Sequence, residues 1–348
     1  MQSKLNKKIY LIRSNSTKFG GAENYLLRLS KALNNKNIDH EIINSFSPKF
    51  IPSWARAILF NLQVSLTKNE KFYYSLDRIT CPDIYRAGDG VHKVFISIEQ
   101  KSKLNLLHPI YLYLERHCFN NSKYIIANSN MVKKQIIDTY NVNPRKIEVI
   151  YNGIELLNFD YAKSFERLSN EFQIKKGQQI LLYVGNGFKR KGVKEFLNIF
   201  SQLKTKNLKA FIIGKDKKIN YFKNLARQLN IHNQVTFTGQ RIDVNDFYAI
   251  SDIFLFPTHY DPFSNVVLEA MNFENVVFTT NSNGASEILD KNFIMNKPND
   301  TKVISLIDNL LADKKALSKV KIFNRNKSKL FSINKNLDKT LELINQIE

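Results

Sequence analysis

Short apolar runs alternate with segments of helical period along almost the whole chain, and the alternation occurs twice. The first series starts with IYLI at Ile9–Ile12 and continues through HEII, KFYYSL, DIYRA, KYIIA and KIEVI. Around Tyr151 the pattern loosens into YNGIELLNFDY. It then restarts as ILLYVG, AFIIG, QVTFTG, DIFLFP and NVVFTT, each followed by a helix-like segment. Apolar strands of this length, separated by helices, predict parallel sheets covered on both faces and wound through crossover helices. Two series predict two doubly wound α/β domains. The length of 348 residues agrees, since a domain ordinarily takes roughly 150 residues. The expected boundaries are 1–160 for the first domain and 161–328 for the second. A final helix over 329–348, amphipathic in NKNLDKTLELINQIE, is expected to pack back on the first.

In sheets of this kind ligands bind beyond the carboxyl ends of the strands. The residues just after the strands are therefore the candidates, and four loops stand out. Gly20 and Gly21 follow the first strand and open a helix with Tyr25, Leu26, Leu29 and Leu33 on one face. Such a turn lets backbone approach a ligand and offers N–H groups to an anion, although an ordinary strand-to-helix turn looks the same. GDGVH, Gly88–His92, places Asp89 between two glycines and is followed by a histidine able to titrate near neutral pH. An Asx turn beside a surface histidine is the plainer alternative.

VGNGFKRKGVKEF carries Lys189, Arg190 and Lys191 after the first strand of the second series, where cations could hold a diphosphate. In so basic a chain a solvated charge cluster would be unremarkable. In THYDPFSNVVLEAM, a helix starting near Ser264 or Asn265 would turn its N-terminal N–H groups toward an anion. Glu269, just over one turn on, could accept from a sugar diol. Asp261 is expected at the mouth of the site.

Taken together, these loops resemble glycosyltransferase family 4, retaining enzymes of the GT-B fold. The resemblance rests on the RKG loop, on Asp261 and Glu269 separated by seven residues in DPFSNVVLEAM, on YNGIE and on NSNGASEIL. The usual first acid is glutamate, so Asp261 is a departure that shortens the reach by one methylene. The family often has an arginine after the strand glycine. Here that place reads Asn186-Gly187, leaving Lys189 or Arg190 to substitute. YRAGDGVH, ANSNMVKKQI and VIYNGIE further resemble the lipopolysaccharide-core glucosyltransferases.

The resemblance implies a GT-B fold with an interdomain cleft, a nucleotide-sugar donor, UDP-linked in this subgroup, and a lipid-linked saccharide acceptor. It implies donor binding by Gly20, Gly21, Arg190, Lys191, Phe263, Ser264, Asn265 and Glu269. Backbone N–H groups of Phe263, Ser264 and Asn265 would meet the diphosphate, Glu269 the ribose, and Asp261 the donor sugar. Asp89 and His92 would face the acceptor. No metal or other cofactor is expected. The alternatives are a nucleotide-sugar 2-epimerase of similar architecture and a basic nucleic-acid-binding protein.

The formal net charge of +21 favours polyanions. No nucleic-acid partner is expected, because there is no zinc spacing, RNA-recognition signature or basic heptad region. Hydrophobic residues make up 43% of the chain, a globular composition. The two cysteines have no metal or redox spacing. WARAILFNLQVSL, the longest apolar candidate, is broken by polar residues, so no membrane span is expected. A cytoplasmic location is expected, with peripheral association at the inner face of the cytoplasmic membrane. Residues 92–123 are the expected docking segment for its anionic surface, with Phe95, Ile96, Leu104, Leu106, Tyr111 and Tyr113 interleaved with Lys93, Lys101, Lys103 and Arg116.

Overall fold

The structure, a computed structural model, describes residues 7–15, 20–99 and 105–347. It divides into two compact units. One comprises Met1–Glu155 with Ile333–Glu348, and the other Leu156–Ser332. The boundaries thus fall a few residues from those expected.

The first unit runs β1 (Ile9–Ile12), α1 (Gly21–Asn35), β2 (His40–Ile43), α2 (Ser53–Leu66), β3 (Phe72–Ser75), β4 (Ile84–Ala87), α3 (His92–Glu99), α4 (Leu107–Asn121), β5 (Tyr124–Ala127), α5 (Asn130–Tyr140) and β6 (Ile147–Val149). Its sheet is six-stranded in the order β2-β1-β3-β4-β5-β6, with every pairing parallel. β3 and β4 are buried along their whole length, as near-continuous apolar strands between two helical layers must be. On α1 the buried residues include Tyr25, Leu26, Leu29 and Leu33, which recur at helical spacing.

The second unit runs α6 (Tyr161–Phe172), β7 (Gln179–Val184), α7 (Phe188–Lys191), α8 (Val193–Phe200), β8 (Leu208–Ile213), α9 (Ile219–Gln228), β9 (Val235–Gly239), α10 (Val244–Ile250), β10 (Ile253–Phe256), α11 (Asn265–Asn272), β11 (Val276–Thr280), β12 (Ile294–Met295), α12 (Lys302–Ala312) and α13 (Lys314–Ser328). Its sheet order is β12-β11-β10-β7-β8-β9, again all parallel. Read from β7, this is the dinucleotide-fold order, whose winding reverses between its first and fourth strands.

The chain then returns to the first unit as α14 (Ile333–Asn345). Leu337, Leu343 and Ile344 join the core formed with Leu26, Leu29 and Leu33 of α1. Polar contacts hold the return in place. The Ile333 N–H donates to Ile154 O at 2.8 Å. Asn336 accepts from the Tyr25 hydroxyl at 2.9 Å and donates to Tyr151 O at 2.6 Å.

Candidate functional site

In a doubly wound sheet the crevice opens where the winding reverses. In the second unit that point lies between β7 and β10, and the loops after both strands meet there. After β7 the chain turns into α7, whose last residues are Arg190 and Lys191. Gly192 follows at φ +81°, and a Cβ built there would lie 1.9 Å from Pro257 O, just after β10. Only glycine lets the loops approach so closely. Arg190 O then accepts from the His259 N–H at 2.9 Å and from the Thr258 hydroxyl at 3.1 Å. The Arg190 guanidinium donates to Tyr260 O at 2.7 Å.

These bonds bring Lys191 against Asp261, with the ammonium in direct contact with the carboxylate. Burial, then the neighbouring Arg190 cation, pushes the Lys191 ammonium well below the usual lysine range, and the contact with Asp261 opposes this. Asp261 is a correction to the expected mouth position. It is buried, one oxygen meeting Lys191 and the other accepting from the Phe263 N–H at 3.1 Å. A buried carboxylate needs such partners to remain charged.

The N–H groups assigned to the diphosphate need a second correction. That of Phe263 is taken by Asp261. That of Ser264 donates to Asn283 Oδ1 at 3.2 Å, which also accepts from the Ala285 N–H at 3.1 Å. α11 does begin at Asn265. At its N-terminus the Ser264 hydroxyl is buried and has no hydrogen-bond partner. Glu269 lies just over one turn further along and accepts from the Tyr248 hydroxyl at 3.4 Å. Lys189 is exposed, so of the three loop cations only Arg190 and Lys191 converge here.

The first unit carries a pocket of about 190 Å³, lined among others by Arg13, Arg56, Asp77, Arg78, Asp89 and Tyr111. Its centre is Arg13, immediately after β1, at that sheet's own reversal between β1 and β3. The Arg13 guanidinium lies 2.9 Å from Glu23, 2.8 Å from Asp77 and 3.4 Å from Asp89. Burial works against its charge, but Asp77, Asp89 and Glu23 outweigh burial and hold it protonated. Asp89 is therefore held in place by Arg13 while 48% of its side-chain surface stays open. Partial desolvation pushes its carboxyl up. Arg13, Arg78 and Arg86 outweigh that and hold it below the usual aspartate range. Gly20 and Gly21 open α1 beside this cluster. A side chain at Gly20 would collide with the Glu23 carboxylate, 2.1 Å from its Cβ.

His92 needs a third correction. It does not line the pocket but is 8% exposed, packed beneath Tyr111 with ring centroids 5.1 Å apart. Its Nε2 lies 3.1 Å from His108 Nδ1, and its backbone N–H donates to Glu115 Oε1 at 2.7 Å. Burial, then the charge of Arg78, pushes its pKa down to about 4, so it is neutral at pH 7 rather than titrating there. Glu115 is fully buried, bonded to Arg78 at 2.8 Å and to the Tyr140 hydroxyl at 2.7 Å.

Sequence reasoning missed Arg13, Asp77, Arg78, Glu115 and Asn283. Of these only Asn283 carried a usable signal, since it lies in NSNGASEIL, in the loop directly after β11. The docking segment expected over 92–123 forms α3 and α4. Leu106 and Tyr113 are exposed there, Tyr111 lines the pocket, and Lys101, Lys103 and Leu104 lie outside the described residues. Among the described residues no helix is long and apolar enough to cross a membrane.

Comparison with known proteins gives a consistent pattern. Residues 164–327 match the family Glycosyl transferases group 1, and residues 90–156 match Glycosyltransferase Family 4. The chain is 24% identical over 309 residues, 88% of its length and 76% of the relative's, to N-acetylgalactosamine-N,N'-diacetylbacillosaminyl-diphospho-undecaprenol 4-alpha-N-acetylgalactosaminyltransferase of Campylobacter jejuni subsp. jejuni serotype O:2 (strain ATCC 700819 / NCTC 11168). It is 29% identical over 213 residues, 57% of its length, to the lipopolysaccharide glucosyltransferase WaaG of Escherichia coli (strain K12). That match spans only about half of WaaG, 55% of its length. A crystal structure of WaaG, a glycosyltransferase involved in lipopolysaccharide biosynthesis, superposes with a TM-score of 0.81 at 20% identity, covering 97% of this chain and 99% of that one. Anabaena HepE in complex with UDP and glucose gives a TM-score of 0.78 at 17% identity, covering 98% and 100%. At such identities the likeness establishes the fold.

Proposed function

Because this chain is a family 4-like glycosyltransferase with the GT-B fold, we propose that it moves a hexose from a UDP-sugar to a lipid-linked saccharide, with retention at the anomeric carbon. The observation that carries the donor half of this reading is the convergence of Arg190, Lys191, the unpartnered Ser264 hydroxyl and the start of α11 at the β7–β10 reversal. When the glycosidic bond breaks, negative charge grows on the leaving diphosphate. Two cations and a helix N-terminus offset it without rearranging. Asp261 balances one of those charges and fixes the Lys191 ammonium where the diphosphate arrives. Glu269 is suited to the ribose diol. With charge offset by these groups, the reaction is proposed to need no metal.

The acceptor half rests on the Arg13 pocket, whose volume suits about one sugar ring. Asp89 is ionised and reachable there, so it accepts a hydrogen bond from the acceptor hydroxyl. His92 acts through Tyr111 and is a positioning residue. A lipopolysaccharide core or a similar lipid-linked glycan fits the named activities of the C. jejuni and E. coli relatives. Such an acceptor would keep the protein peripherally bound at the inner face of the cytoplasmic membrane. The test is UDP release across a panel of UDP-sugars, with and without cell-envelope lipid extract. Release that requires the extract supports the proposal. Interconversion of UDP-sugars without any acceptor would instead favour the epimerase.

A further inference from the structure

We propose that the Arg13 pocket selects an acidic acceptor, a sugar bearing a phosphate or carboxylate, and that Arg56 recognises the anionic group. The proposal rests on the reading of this pocket as the acceptor site and names the class of acceptor it takes. Three guanidiniums line the pocket, and they are not equivalent. Arg13 is held by Glu23, Asp77 and Asp89, and Arg78 by Glu115. Arg56, half-buried on α2, has no carboxylate partner among the described residues. Its guanidinium makes one hydrogen bond there, from Nη2 to the neutral Asn15 Oδ1 at 3.2 Å. Its Nε is buried without a partner. A cationic N–H taken from water and left without an acceptor is costly. An anion bound in the pocket relieves that cost.

The sheet decides which end of the pocket is acidic. Ser45, Ser14, Asp77 and Asp89 all line it, each two residues beyond the end of its strand, β2, β1, β3 and β4 in turn. That is also the order of those strands across the sheet. The lining therefore passes from two hydroxyls to two carboxylates over three strand spacings, roughly 14 Å. Arg56 is bonded to Asn15, beyond β1, and so belongs to the hydroxyl end. No aspartate or glutamate occurs from Ile42 to Asn69, the stretch that supplies Ser45, Ser53 and Arg56 to the lining. α2 begins at Ser53 without a side-chain cap, so its positive end lies at the same rim.

One end of the pocket thus offers Asp89 to an acceptor hydroxyl, and the other offers a guanidinium that no carboxylate pairs. A neutral hexose answers only the first. A guanidinium meets the two oxygens of a phosphate or carboxylate through parallel N–H bonds, stronger than those to a neutral hydroxyl. With the anion on Arg56 and the reacting hydroxyl on Asp89, the ring is held at two points. The carboxylates of Asp77 and Asp89 repel an acidic sugar entering the other way round, which fixes the hydroxyl presented.

Full-length protein is saturated with UDP, so that the anion site proposed at Lys191 is filled. It is then titrated with glucose 6-phosphate, glucuronate, glucose and inorganic phosphate, with binding followed by ligand-detected proton and phosphorus NMR. Glucose 6-phosphate and glucuronate are expected to bind on the order of tenfold more tightly than glucose. Arg56→Gln should erase that difference and leave the affinities for glucose and UDP unchanged. Arg56→Lys should restore part of it, because the charge remains while the paired N–H bonds are lost. Equal affinity of the unmodified protein for glucose and glucose 6-phosphate would overturn the proposal, and that comparison needs no variant. Equal loss of both sugars in Arg56→Gln would make Arg56 a structural residue and would also overturn it. Inorganic phosphate binding as tightly as glucose 6-phosphate would overturn it in favour of a free-anion site. Absence of hexose transfer to lipid-linked glycan, measured separately, would remove the functional reading while the binding difference still supported an acidic-sugar site.

Discussion

The Lys191 ammonium and the Asp261 carboxylate, 70 residues apart in the chain, form a buried ion pair. It lies at the ends of β7 and β10, the two paired strands at which the second sheet reverses its winding. Removing one partner of such a pair leaves an uncompensated charge, and the cost is typically about 3–5 kcal/mol. Lys191→Ala should therefore lower the melting temperature as well as abolish transfer. The double variant Lys191→Ala/Asp261→Ala should recover much of the stability but none of the transfer. Thermal melts and turnover of both variants check this. Lost transfer in Lys191→Ala with unchanged stability would mean that Arg190, 3.9 Å from Asp261, is enough to hold its charge.

Gly192 is the hinge of the same arrangement. Gly192→Ala places a methyl against Pro257 O at a left-handed backbone position. The strain is expected to cost about 1–3 kcal/mol, and UDP affinity should fall because Lys191 is displaced. Chemical denaturation and calorimetric titration with UDP give the two readouts. An unperturbed variant would show that the loop tolerates the shift.

Asp89→Asn removes the charge that Arg13 holds in the pocket but keeps the shape. Loss of a charged hydrogen bond to the acceptor should lower transfer by about 1.5–3 kcal/mol of barrier, roughly ten- to a hundredfold, with UDP affinity intact. Equal loss of UDP affinity would assign Asp89 to the donor.

His92 couples the first unit to pH. Its folded pKa of about 4 lies below the ordinary 6.5, because burial and then Arg78 disfavour the imidazolium. The unfolded chain therefore takes up a proton that the folded chain refuses. The stability contributed by neutral His92 is full above about pH 6.5 and is lost as pH falls toward about 4, at no more than about 1.4 kcal/mol per pH unit. Urea unfolding from pH 7 to 4.5 should show this slope, and His92→Gln should flatten it. An unchanged slope would place the acid sensitivity elsewhere.

Much of this was legible in the sequence. Strands such as IYLI, YIIA and IFLF are buried on both faces, so their apolar runs carry a strong signal. β12 escaped because a two-residue strand leaves no periodicity. The loops of Lys191, Asp261 and Glu269 stood out because they follow strands and carry paired chemistry. Arg13 did not. Among 52 lysines and arginines, one cation after a strand looks ordinary. Only burial among Glu23, Asp77 and Asp89 distinguishes it, and those partners lie up to 76 residues away. His92 was expected to titrate near neutral pH at the site, whereas it opens α3, is buried and is neutral at pH 7. Its environment comes from Glu115 and His108 on α4, which local sequence does not reveal.

Mass spectrometry of the acceptor tests the proposed reaction most directly. Purified protein is incubated with a UDP-hexose and extracted lipid-linked glycan, alongside Lys191→Ala and reactions lacking donor or acceptor. The expected result is a lipid-linked glycan heavier by one hexose, formed only when protein, donor and acceptor are all present and absent with Lys191→Ala. An unchanged glycan across the full donor panel, with the UDP-sugar converted to its 2-epimer or left untouched, would contradict it.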